Sequence, residues 1–189
     1  MRKELAIYLF AGILFLAGLK PLRAQQPVTL LKQGSFAVGG ITLTEKGTFR
    51  LDSALKPAGQ TFHGDHAYTY YQIPVRARKY PLVFLHGAGQ SKKTWESTPD
   101  GRDGFQHIFL QRRFGVYLLD QPRRGEAGKS TVTATVAPIA DEQFWFTQFR
   151  IGNYPDYFPG VQFPKDPASL EQFYRQMTPN TGAFDARVI

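Results

Sequence analysis

The chain contains no cysteine. Disulfides, thiolate catalysis and lipid attachment through a thiol are therefore excluded. A placed nucleophile is also missing. The serines are Ser35, Ser53, Ser91, Ser97, Ser130 and Ser169. None stands in a G-x-S-x-G elbow, and none follows a buried strand and opens a helix. Gly125-x-x-Gly128 follows a strand but has the wrong spacing for a dinucleotide fingerprint, so no nucleotide cofactor is expected. No internal repeat or low-complexity tract is present. The 18 Gly and 13 Pro in 189 residues are too few to suggest disorder, and 16 Phe with 42% hydrophobic residues can fill the core of one domain.

Residues 1–24 read as a signal peptide. Arg2 and Lys3 precede an apolar stretch from Leu5 to Leu19, broken only by Gly12 and Gly18. Ala24 is a small residue at the cleavage point, although Leu22 is large for the −3 position. The alternative is an uncleaved anchor. A run of about 15 residues is short for a span that needs about 20, so no stable membrane anchor is expected. The net charge is +8, of which the leader carries three. The remaining basic residues form short clusters beside strands, at Arg76-Ala77-Arg78-Lys79, Arg112-Arg113 and Arg123-Arg124. No nucleic-acid motif accompanies them, so they read as a solvated surface and no nucleic-acid partner is expected. A leader without cysteine in the mature part points to an exported protein, periplasmic or extracellular.

Two apolar runs dominate the rest. Leu82-Val83-Phe84-Leu85 leads into His86-Gly87-Ala88-Gly89, and Val116-Tyr117-Leu118-Leu119 ends in Asp120. Both are short and continuous, which predicts adjacent parallel strands buried on both faces. The segment between them has room for one crossover helix, predicted from Phe105 to Arg112 with Phe105, Ile108 and Phe109 inward. Upstream, residues 25–31 read as a lead-in. Ser35 to Gly40 and Gly47 to Leu51 read as neighbouring strands, and Ala67 to Pro74 as a further one. Downstream, residues 141–150 read as an aromatic helix and residues 153–166 as irregular. A second helix is predicted after Ser169, whose hydroxyl with Gln172 would form a capping box. It would turn Leu170, Phe173, Tyr174 and Met177 inward.

The leading candidate site is His86-Gly87-Ala88-Gly89. A glycine-rich turn after a parallel strand exposes backbone N–H groups at the carboxyl edge of a sheet, where they can stabilise an oxyanion. Ala88 supplies the amide, Gly89 permits close approach, and His86 and Gly87 support the loop. The plain alternative is a tight turn between strand and helix. His63-Gly64-Asp65-His66 resembles part of a zinc motif but lacks further ligands, since His107 and His86 lie on other elements, so no metal is expected. Trp95 and Trp145 are candidates for an apolar substrate pocket and equally for core.

Four stretches carry a family resemblance. They are GSFAVGG, YYQIPVRARKYPLVFLHGAGQSKKTWESTPDGRDGF, GVYLLDQPRRG and FRIGNYPDYFPGVQFP. From Gly34 to Ile189 the chain resembles exported bacterial α/β-hydrolases of a secreted-esterase type with a large inserted cap. The resemblance implies the α/β-hydrolase fold, Ala88 as the oxyanion-hole amide, and a cap over residues 130–180. The family's well-known esterase carries two adjacent cysteines where this chain has Ala88-Gly89, so that disulfide cannot form here. The resemblance also implies a further strand and a serine elbow beyond Ile189, followed by the acid and the histidine.

The expectation is therefore the N-terminal part of an exported α/β-hydrolase, with residues 25–189 as its first portion. The complete enzyme would cleave small-molecule esters by a Ser-His-acid mechanism without a cofactor. The fourth strand would leave an open apolar edge. Two other readings stay open: a non-catalytic module that binds an apolar ligand, and a metal-dependent hydrolase using His63, Asp65 and His66.

Overall fold

The computed structural model describes residues 27–188. The expected signal peptide and the terminal Ile189 lie outside the described residues. The main sheet has four strands: β1 (Leu30–Val38), β4 (Ala67–Pro74), β5 (Leu82–Leu85) and β6 (Val116–Asp120), in the order β1-β4-β6-β5. β4 runs antiparallel to both β1 and β6, and β5 runs parallel to β6 with Leu82 opposite Val116 and Leu85 opposite Leu119. The expected parallel pair is therefore present, and α1 (Phe105–Gln111) occupies the crossover.

Burial differs from the expectation for one of the two strands. β6 is internal, and Val116 and Leu118 are completely buried. β5 is an edge strand among the described residues, with Val83 59% and Leu85 55% exposed. Successive side chains alternate across a sheet. Phe84 faces the crossover side, 5.2 Å from Trp95 and 5.9 Å from Phe109 between ring centres. Val83 and Leu85 point to the uncovered face. α1 buries Leu110 most deeply, while Phe105 stays half exposed and stacks on Trp95.

The early strands pair otherwise than expected. β1 begins at Leu30, inside the expected lead-in, and its neighbour is β4. Residues 47–50 form no strand, and a short 3-10 turn covers Leu51–Ser53. Instead β2 (Ile41–Thr44) and β3 (Thr61–Gly64) make a separate two-stranded sheet. The chain between them closes on itself through Gly47 and Gly59, both at positive φ, and through the bonds Glu45 N–H to Gln60 O and Gly59 N–H to Lys46 O. Those backbone groups are thus unavailable to the main sheet.

Residues beyond 140 build a second, smaller core. α2 (Glu142–Gln148), a hairpin of β7 (Gly152–Asn153) and β8 (Asp156–Tyr157), and α3 (Pro167–Arg175) enclose Phe146, Ile151 and Phe173. Rings meet edge to face, as in Phe149–Phe173 and Phe163–Phe173. Leu170, Tyr174 and Met177 pack against this core as expected. The cap of α3 is one turn earlier than the sequence pattern suggested. Asp166 accepts from Ser169 N–H at 2.9 Å with Pro167 in the first turn, and Ser169 is buried inside the helix. Proline suits the first helical position because its missing N–H has no partner to lose. No described helix is long and apolar enough to cross a membrane.

Candidate active site

The turn after β5 is built so that one amide faces outward. Gln90 N–H donates to Gly87 O at 3.3 Å, Gly89 has φ +67°, and Ala88 is outside the left-handed region. These are the features of a type II turn with Ala88 at its second position and Gly89 at its third. The backbone angle favours glycine there, while a Cβ would only press the flexible end of Met177, 3.3 Å away at Cε, and touch Trp145 Cζ2 at an ordinary 3.6 Å.

His86 sets the direction of the Ala88 amide. Its Nε2 receives Gln121 N–H at 3.1 Å, so that nitrogen carries no proton. Nδ1 then holds the proton and donates to Gly87 O at 2.9 Å. The Gly87 carbonyl and the Ala88 N–H belong to one planar trans peptide and point in opposite directions. Two donors on the carbonyl therefore hold the N–H away from the loop. No described group accepts from it. Burial lowers the pKa of His86, opposed by the Gly87 carbonyl and Asp120, and the Arg124 charge lowers it further. The ring is neutral at neutral pH, as a positioning group should be.

Asp120, at the end of β6, ties the neighbouring loops together. It is fully buried and accepts from Lys92 N–H at 2.6 Å and from Glu126 N–H at 2.9 Å. Its carboxylate lies 3.8 Å from His86 Nε2 and 3.4 Å from Lys92 Nζ. Burial pulls the Lys92 pKa down, but Glu126, bonded at 2.5 Å, and Asp120 outweigh it, and the net shift is upward. Gly125 leaves the space for this carboxylate, since a Cβ there would lie 2.6 Å from Asp120 Oδ2.

A strap from the smaller core closes over both loops. Thr178 donates through N–H to Gly89 O and through Oγ1 to Gln90 O, both at 3.1 Å. Thr181 donates through N–H to Arg123 O at 2.9 Å and through Oγ1 to Gly128 O at 2.6 Å. Arg124 Nε donates to Asn180 Oδ1 at 2.9 Å. Thr178→Val keeps the shape of the side chain and removes one of these bonds. We expect it to lower stability by about 1 kcal/mol, read from a urea transition, with Thr178→Ser restoring most of the loss. An unchanged midpoint in Thr178→Val would show that the hydroxyl does not hold the turn.

Between the turn and the smaller core lies a cavity of about 370 Å³. Ala88 and Gly89 form one side, and Trp145, Met177, Asp141 and Ile139 lie among the residues around it. Of the two candidate pocket tryptophans, only Trp145 is here. Trp95 packs under β5 against Phe84 and Phe105 and lines none of this space. A second cavity of about 460 Å³ lies beside the β2–β3 hairpin, lined by residues such as Leu43, Phe62 and Thr131, and has no part of the glycine turn in its wall.

The metal reading fails on Asp65. Its carboxylate is taken by Arg123, with Oδ1 to Nε and Oδ2 to Nη2 both at 2.8 Å, and by Thr131 Oγ1. His63 sits in β3 opposite Thr42. Among the described residues, no three His, Asp or Glu side chains gather in a way that could hold a metal ion. None of the described serines hydrogen-bonds a histidine. Ser91 and Ser97 accept from Lys93, and Ser130 bonds the Val132 backbone. The sequence reading places Asp120 at the end of its strand but gives it no role, and it assigns none to Thr178 or Asp141.

No family model matches the chain. A fungal protein described as a probable secreted lipase, phiG (Fungal sp., strain ATCC 74256), is 48% identical over 48 residues, which are 25% of this chain and 13% of that protein. A bacterial esterase solved at atomic resolution is 35% identical with a TM-score of 0.68, covering 86% of this chain and 54% of the esterase. The chain thus spans about half the length of the esterase it matches. It shares with that esterase an α/β-hydrolase-like architecture of a mixed sheet with few helices.

Proposed function

We propose that this chain is the oxyanion-bearing N-terminal part of an exported α/β-hydrolase that cleaves carboxylic esters. The observation that carries the reading is the Ala88 amide, held outward by two hydrogen bonds on Gly87 O, at the wall of a cavity. The similarity to a secreted lipase and to an esterase supports it. So does the position of the turn, at the carboxyl edge of a parallel strand pair. Residues 1–24 serve as the signal peptide, and the product acts in the periplasm or outside the cell. Residues 130–180 act as the cap.

In the proposed reaction a serine Oγ attacks the ester carbonyl and a histidine takes its proton. The carbonyl oxygen becomes an oxyanion and accepts from Ala88 N–H and from the amide after the serine. The C–O bond to the alcohol breaks as the histidine returns the proton. Water then releases the acid by the same steps. The serine, histidine and acid of this reaction are not placed among the described residues. No metal or organic cofactor takes part.

The test is a fluorophosphonate probe, which labels activated serines. The 189-residue chain should not be labelled and should not turn over a short-chain p-nitrophenyl ester. The product of the reading frame continued past Ile189 should do both, with one serine labelled. Stoichiometric labelling of Ser35, Ser53, Ser91, Ser97, Ser130 or Ser169, abolished by its change to Ala, would overturn the assignment. A second reading, a module that holds an apolar ligand, draws on Trp145, Met177 and Ile139 around the same cavity. Ester turnover by the longer product decides against it.

A further inference from the structure

We infer that the cavity beside Ala88 and Gly89 selects esters carrying an ammonium group, read by Asp141 and Trp145. The inference rests on the reading that an ester occupies this cavity.

Asp141 is the only ionisable side chain among the residues that line it. The other polar groups around it, Thr135, Thr178 and Asn180, are neutral. Asp141 Oδ2 accepts from Trp145 Nε1 at 2.8 Å, one helical turn away. This bond fixes the indole beside the carboxylate. No described Lys, Arg or His reaches within 4.0 Å of it, although ten other such pairs occur among the described residues. The Trp145 ring stands against the turn itself, since a Cβ on Gly89 would lie 3.6 Å from Cζ2. A carboxylate with no counter-ion, an indole and the outward amide thus share one space.

Such a site favours a cation. An ammonium group gains from the indole face and from the carboxylate together, and its methyl or methylene groups suit the apolar walls. A neutral group of the same shape gains only the apolar part, and an anionic one is repelled. Arg124 bonds Asn180 Oδ1 and does not line the cavity. Either the acyl or the alcohol side of the ester can carry the ammonium.

The test needs no turnover. The chain has two tryptophans, so Trp95→Phe leaves Trp145 as the only indole reporter. Butyrylcholine and its neutral carbon isostere, 3,3-dimethylbutyl butanoate, are titrated into that variant while fluorescence is followed. Butyrylcholine should bind about tenfold more tightly than the isostere. Asp141→Asn retains an acceptor for Trp145 Nε1 and should remove most of this advantage. Calorimetric titration of the unsubstituted chain gives the same ratio without depending on Trp95→Phe. Equal affinities, or an advantage unchanged in Asp141→Asn, would overturn the inference. Fluorophosphonate labelling of the longer product reports separately on the esterase reading, so the two can fail independently.

Discussion

Arg123→Ala should cost about 3–5 kcal/mol of stability, because it strands the Asp65 carboxylate in the interior. The pair is bidentate at 2.8 Å, and both side chains are buried, 0% and 7% exposed. Asp65 also receives Thr131 N–H and Oγ1, and Arg123 Nη1 reaches Ala183 O at 2.7 Å. Both residues have positive φ, 55° and 68°, so the pair holds two turns that non-glycine residues seldom adopt. A lost guanidinium therefore loosens the turn before β4, the loop after β6 and the strap together. The Arg123 hydrogen bond holds the Asp65 carboxyl well below the usual carboxylate range, against the opposing effect of burial, with help from Thr131. The folded pKa is thus depressed relative to an unfolded value of about 3.9. The stabilisation is fully present above that value and is lost as pH falls below it toward the folded pKa. Urea transitions at pH 7 and pH 3 check both points. The gap between the parent chain and Arg123→Ala should be large at pH 7 and smaller at pH 3. A gap of the same size at both would remove the pair as the acid-sensitive element.

On the proposed esterase reading, Ala88→Pro in a product extended past Ile189 should reduce kcat by about 10²–10³-fold, the effect of deleting one oxyanion donor. Proline is suited to the second position of a type II turn, and the amide it removes has no described partner, so the turn itself should survive. KM should change little, because the ground-state carbonyl needs the donor less than the tetrahedral intermediate does. Ala88→Gly keeps the N–H and should retain activity. The measurements are steady-state kinetics and a thermal melt of each variant. A kcat unchanged in a folded Ala88→Pro would move the oxyanion donor to another amide.

The parallel pair β5 and β6 was legible from the sequence. Two continuous apolar runs separated by helix-forming chain allow few other arrangements. The strand Ala67–Pro74, the helix at 105–111 and the inward face of α3 were legible for the same reason, since periodicity is a local property. So was the glycine turn, because a Gly-x-Gly run after an apolar strand marks a tight turn and glycine tolerates the positive φ found at Gly89.

The pairings over long separations were not legible. β1 chose β4 over the nearer segment at Gly47, because residues 45–60 satisfy their own backbone bonds. Asp65 reads locally as part of a metal motif, yet its partner lies 58 residues on. Trp95 and Trp145 are equivalent as letters. Their neighbours separate them: one lies beneath β5 and the other faces the turn after it. Thr178, in an unpatterned segment, reaches Gly89 and Gln90 only because the smaller core folds back over the carboxyl edge of the sheet. Sequence by itself determined the parallel pair, the strand Ala67–Pro74, the helices and the place of the glycine turn, since these depend on residues a few places apart, but not the hairpins β2–β3 and β7–β8. Tertiary structure alone decided what faces that amide, because strand order and the packing of the smaller core bring distant loops to one edge.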